Sequence, residues 1–297
     1  MNSLKIKGYI FVILSAIIFG CKPLMAIHIN ADGVNSLSLV LLRNVLSMPM
    51  LAVMALITKK TLKVPVKALP SIAIIGLAGC CITPLMLFAS YNFIPSGIAT
   101  VLHFVYPAIV LIINIIISRK IKTHNLISVS LCVIGICFFY NPNDPLNFEG
   151  ALLALLSGVT YAVYIILLSR FKYKKLSGFL FSFYISVTSS IVLLIVCLCL
   201  NKLTLPQSPS GWLLSAFFAF AVNVGAVVLV QQGAVLIGSQ QSSILSTFEP
   251  ITGVLIDALI ISQVLPHVPS IIGCVLVIAA SILIVVFDIR NEKKHQA

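Results

Sequence analysis

Charge is scarce in this chain. Only 9% of its 297 residues are Asp, Glu, Lys or Arg, and just seven of them are acidic. A soluble domain is about 25% charged, so too little polar surface exists here to cover a water-exposed globule. That excludes cytosolic enzymes, secreted disulfide scaffolds and nucleic-acid-binding domains together. Chemistry-bearing motifs are missing as well. The chain has no CxxC pair, no HExxH, no DDxxD, no Gly-x-Ser-Gly and no P-loop, which removes the usual metal, hydrolase, prenyl-transfer and nucleotide sites. Its eight cysteines all fall inside apolar runs. They read as small buried hydrophobes rather than disulfides or metal ligands. No metal and no cofactor is expected, and no nucleic-acid partner.

What the chain does have is apolar sequence. It is 60% hydrophobic, with a mean hydropathy of +1.15. A hydrocarbon core about 30 Å thick needs roughly 20 apolar residues per helix. Ten runs answer that need, at residues 8–29, 37–57, 71–92, 97–118, 126–140, 150–169, 179–200, 212–233, 239–261 and 270–288. The fifth is short enough to require tilt or local thinning of the bilayer. The first carries Lys22 and lacks a small-residue cleavage site, so it reads as a span rather than a signal peptide.

Ten spans put both termini on one side. Sixteen of the 19 basic residues lie in the segments on that side, and Lys202 is the sole one in the opposite loops. This asymmetry predicts a multi-pass protein of the cell (inner, cytoplasmic) membrane with both termini in the cytoplasm. Lys22 and Arg43, the remaining two, lie within spans.

The chain also aligns with itself. Gly8–Tyr9 through Gly20 matches Gly150–Ala151 through Ala162 at an offset of 142, and Ser96 through Tyr106–Pro107 matches Ser239 through Glu249–Pro250 at about 143. Two five-helix repeats follow, 1–145 and 146–297. Because five is odd, the second repeat enters the membrane from the opposite side, and inverted repeats are characteristic of transporters. Ala16/Gly20 and Gly158/Ala162 are matched small-xxx-small pairs, which predicts close backbone approach.

These features together resemble the drug/metabolite transporter superfamily, specifically its EamA-type ten-helix branch. Matching residues are Ser15–Gly20 in span one, Leu41–Arg43 in span two, Tyr106–Pro107 in span four, Phe248–Pro250 in span nine, and the small-residue pairs Ser128/Gly135 and Gly273/Ala280 in spans five and ten. The resemblance implies an all-α integral membrane fold with ten transmembrane helices in two inverted repeats around a central cavity. It further implies secondary transport of small organic solutes, export being the usual direction. The chain departs from the family where glutamates commonly follow spans four and nine: Arg119–Lys120 and Gln263 stand there.

Ionisable groups inside a bilayer need a partner or a water-filled cavity, and mark function by default. Glu249 is the leading candidate, beside the helix-breaking Pro250 and on one face with Ser246 and Ser242. It would bind a substrate amine or a coupling proton, or form a structural ion pair. Lys22 would bind a substrate carboxylate or pair with Glu249. His103 and Tyr106 share a face three residues apart, and imidazole is the side chain that titrates near physiological pH. Asp257, eight residues beyond Glu249, is a second proton-station candidate. Tyr161, Tyr164 and Asn223 would complete the cavity, Tyr164 aligning with Lys22 at the 142-residue offset. Arg43 reads as structural.

The expected activity is alternating-access transport, with small organic metabolites such as amino acids or amines as substrates and protons a candidate coupling ion, by a monomer or homodimer in the lipid bilayer. A flippase for a lipid-linked headgroup is the alternative within transport. An intramembrane enzyme is the rival from another class and lacks its motifs.

Overall fold

The computed structural model describes residues 3–59, 63–119, 123–138, 147–172, 176–256, 259 and 268–296, with side chains described up to Phe287. Most of these residues are helical, as lipid requires, since a backbone without water must bond within its own segment. Eight helical stretches are long and apolar enough to cross a membrane, and Thr123–Cys137 is a shorter apolar helix.

Ten spans follow in order. Span one is α1 (Ser3–Gly20) and α2 (Lys22–Ala31), span two is α3 (Ser36–Lys59), and span three joins α4 (Leu69–Gly76) and α5 (Thr83–Ser90). Span four is α6 (Ser96–His103) with α7 (Tyr106–Ser118), and span five is α8 (Thr123–Cys137). The second repeat begins with α9 (Phe148–Ser169) and α10 (Gly178–Cys199) as spans six and seven. Span eight is α11 (Pro209–Ala219) with α12 (Val228–Ile237), span nine is α13 (Ser239–Leu245) with α14 (Phe248–Ile256), and span ten is α15 (Val268–Gln296).

The interruptions repeat too. Spans three and eight each carry a wide-turn π stretch, Leu77–Ile82 and Phe220–Val227, whose starts are 143 residues apart (77 and 220). Spans four and nine each break after one short helix, and those helices also start 143 apart (96 and 239). Packing obeys the same symmetry. Span two lies on seven and five on ten, while three packs on six as eight packs on one. The fold is two inverted five-helix repeats, and the chain is a multi-pass membrane protein.

Proline explains several of the breaks. It lacks an N–H and leaves the carbonyl four residues back without its helical partner. Pro84 does this to Cys80, whose oxygen instead accepts from Arg43 Nη2 and Asn44 Nδ2, both at 3.2 Å. In span eight, Ser15 Oγ donates to the Ala226 carbonyl at 2.8 Å. Polar side chains from neighbouring spans thus satisfy carbonyls in or beside the π stretches.

Span one breaks at Cys21, with Pro23 in the first turn of α2; its counterpart α9 runs unbroken. This asymmetry places Lys22 where the chain turns toward the second repeat.

Candidate functional site

Two glycines bring the repeats together at their breaks. A Cβ on Gly20 would sit 2.5 Å from Thr252 Cβ and 2.9 Å from the Glu249 carbonyl oxygen. A Cβ on Gly158 would sit 2.5 Å from the His103 carbonyl oxygen. Span one therefore lies against the break of span nine, and span six against that of span four. The small-xxx-small pairs supply this contact through their glycines.

Beside Gly20, Lys22 reaches across. Its Nζ lies 2.9 Å from Glu249 Oε1 and 4.3 Å from the centre of the Phe19 ring. The ammonium thus has a carboxylate and an aromatic face for partners. Both charged side chains are largely buried, at 12% and 11% exposure. Inside a bilayer a lone charge costs roughly 2.5–3.5 kcal/mol on insertion scales, so each side chain needs the other as its partner.

The pair forms part of the wall of a cavity of about 40 Å³, room for a few water molecules. Lys22 and Phe19 come from span one and Arg43 from span two, with Gly79, Cys80, Thr83, Pro84, Leu87 and Phe88 from span three. His103 comes from span four, Tyr161 and Tyr164 from span six, Val227 and Val230 from span eight, and Glu249 from span nine. Lys22 and Tyr164, equivalent positions in the two repeats, meet in one cavity.

Behind this wall the aromatic residues form one cluster. His103 lies 5.5 Å from Tyr106 and 5.4 Å from Tyr161, ring centre to ring centre, and Tyr106 meets Tyr161 edge-on at 4.7 Å. Tyr164 continues the cluster at 5.6 Å from Tyr161. His103 Nδ1 lies 2.8 Å from Ser157 Oγ. Ser157 donates its own proton to the Ala154 carbonyl at 2.6 Å, so it accepts from Nδ1–H.

Of the residues singled out from sequence, Lys22, Glu249, His103, Tyr161 and Tyr164 share the cavity wall. Tyr106 is fully buried behind it, its hydroxyl beside Ser246. Ser246 is buried at the break of span nine and donates to the Ser242 carbonyl at 2.8 Å. Asn223 is tied into a network between spans two and eight, donating to the Arg43 carbonyl, Asn44 Oδ1 and Ser47 Oγ at 3.1–3.2 Å. Asp257 lies outside the described residues.

Sequence reasoning read Arg43 as structural. Arg43 lines the cavity. The signal was available: a cation inside a span marks function by default.

The EamA-like transporter family matches this chain twice, over residues 6–141 and 148–286. The chain belongs to the EamA-like transporter family. An uncharacterized transporter of Synechocystis sp. is 26% identical to this EamA-like chain over 208 residues, 67% of this chain. The match spans 61% of that relative's own length. A solved crystal structure superposes on 98% of the chain, and 99% of its own, with a TM-score of 0.76 at 14% identity. At that identity the likeness shows the fold alone.

Proposed function

We propose that this EamA-like protein is a secondary transporter, an exporter of small organic metabolites of the amino-acid and amine size class. The observation that carries this reading is the Lys22–Glu249 pair. It joins one repeat to the other and stands in the wall of a central cavity.

A metabolite pocket measures about 300–1,000 Å³, far more than the 40 Å³ enclosed here. Solute binding therefore requires the repeats to part, and the ion pair is the polar contact that must be exchanged when they do. A solute with its own charged groups replaces Lys22 or Glu249 as partner, so that neither is left bare in low dielectric. Rocking of one repeat against the other would then open the site to alternate faces. His103 and Glu249 are the titratable groups placed to carry a coupling proton. The sixteen-to-one distribution of basic residues supports termini in the cytoplasm of a cell-membrane protein.

The test is counterflow in proteoliposomes, with radiolabelled amino acids and amines as probes. Saturable exchange by the wild type and its loss in Glu249→Gln is the expected result. Exchange at wild-type rate in that variant would return Glu249 to a structural role, and absence of exchange for every probe would overturn transport of this solute class.

A further inference from the structure

The charges around the cavity do not balance. Lys22 and Arg43 stand in its wall, and among the described residues Glu249 is the one carboxylate there. Glu249 is already engaged by Lys22 at 2.9 Å. Arg43 is 4% exposed and has no carboxylate partner among the described residues. A guanidinium presents five N–H donors in a fixed fork. Among the described residues Arg43 uses one of them, Nη2 to the Cys80 carbonyl at 3.2 Å, while Nε is buried with no acceptor.

Holding that carbonyl does not account for an arginine. Asn44 Nδ2 donates to the same Cys80 oxygen at 3.2 Å, and a neutral amide performs that task without burying a charge. Tyr164, on the same cavity wall, adds a second buried donor, a hydroxyl with no hydrogen bond within 3.5 Å and Gln231 as a polar neighbour. The wall thus holds one surplus positive charge and two groups with unused hydrogen-bonding capacity.

We infer that Arg43, with the Tyr164 hydroxyl, forms an anion subsite of this cavity that takes the carboxylate of a solute carrying net charge −1. The inference rests on the transport reading and narrows its substrate class. The ledger is simple: Lys22 and Glu249 pair at 2.9 Å, and among the described residues one monoanion offsets the remaining charge of Arg43. Guanidinium and carboxylate match as fork to fork. A phosphate dianion overshoots the single surplus charge, and an amine or polyamine adds to it. Acidic amino acids and simple organic carboxylates fit; basic amino acids do not.

The experiment is thermal shift of the purified full chain in nanodiscs. Probes are L-glutamate, benzoate and N-acetyl-leucine, against L-lysine, putrescine and inorganic phosphate. A ligand that binds the native state raises Tm with its concentration. The expected result is a saturable shift by at least one carboxylate probe and none by lysine or putrescine. Apparent affinity should fall about tenfold or more in Arg43→Lys and several-fold in Tyr164→Phe, and the shift should vanish in Arg43→Gln. The Lys and Phe variants keep the test decisive if the Gln variant does not fold. Stabilisation by the cations or by phosphate alone, no shift by any carboxylate, or carboxylate shifts equal to wild type in the Arg43→Lys and Tyr164→Phe variants overturns the subsite.

Counterflow with the same probes separates this inference from the broader one. Arg43-dependent carboxylate binding without flux sinks transport and leaves the subsite standing. Flux of lysine or putrescine without carboxylate binding does the reverse.

Discussion

Lys22 of the first repeat and Glu249 of the second, 227 positions apart in sequence (22 and 249), meet at 2.9 Å between the two repeats. The contact depends on three local features: the break at Cys21 with Pro23 in the next turn, the break of span nine before Pro250, and Gly20.

Breaking that pair from one side should cost more than removing it whole. Lys22→Met or Glu249→Gln alone leaves one buried charge unpaired and is expected to destabilise by about 3–5 kcal/mol. The double variant Lys22→Met/Glu249→Met should recover most of that loss, because apolar residues of similar volume replace buried pairs at little cost. Tm of the purified variants reads the stability, and counterflow reads the function. The double variant should be stable and inactive. If it is as unstable as either single variant, the pair is not the coupled unit described here.

Two glycines on the span-one to span-nine contact should respond oppositely to the same change. A Cβ at Gly20 would meet Thr252 and the Glu249 carbonyl at 2.5–2.9 Å, whereas one at Gly253 would meet nothing closer than the Gly20 oxygen at 3.9 Å. Gly20→Ala is expected to cost about 1–3 kcal/mol through overpacking and to depress flux by displacing Glu249. Gly253→Ala should be neutral or slightly stabilising, since alanine is the better helix former by about 1 kcal/mol. Thermal unfolding of the two variants side by side tests the contrast, and equal effects would refute it.

A latch on the face opposite the termini supplies a pH-dependent prediction. Asp32, after span one, accepts from the backbone N–H of Gln207 at 3.0 Å and of Ser208 at 3.2 Å, before span eight. Asn35 and Ser38 bond the same segment at Lys202 and Thr204. Hydrogen bonds from Ser208, then from the Gln207 backbone, outweigh desolvation and hold the Asp32 carboxyl below its ordinary range. A depressed carboxyl stabilises the folded state above the unfolded pKa, and that contribution is lost as pH falls through the folded value. The latch should therefore be closed at neutral pH and open in acid. Trp212, the single tryptophan of the chain, is in the first turn of α11 beside the latch. Its emission should shift on acidification below the normal aspartate range. Asp32→Asn should lack that transition; an unchanged transition in the variant would assign it to another group.

Much of the site was readable before folding was considered. A charge inside an apolar run is costly wherever it lands, which singled out Lys22 and Glu249, and the 142-residue offset paired Lys22 with Tyr164. Arg43 was legible by the same rule but was assigned to structure, because residue type alone does not tell a cavity wall from a helix contact. Asn223 shows the converse. An amide in a span reads as a cavity group, yet its partners Asn44 and Ser47 absorb it into the packing of spans two and eight.

The sequence by itself determined that this is a membrane protein of ten spans in two inverted halves. Span length, hydropathy and repeat offset are properties of contiguous residues, set by bilayer thickness and the need to satisfy each backbone group locally. Only the tertiary structure decided which charges meet and which is left over. That Lys22 takes Glu249 while Arg43 has no carboxylate among the described residues depends on helix rotation, proline breaks and glycine contacts between distant segments. Those are settled by close packing between the repeats, where a displacement of a few ångströms exchanges one ion-pair partner for another.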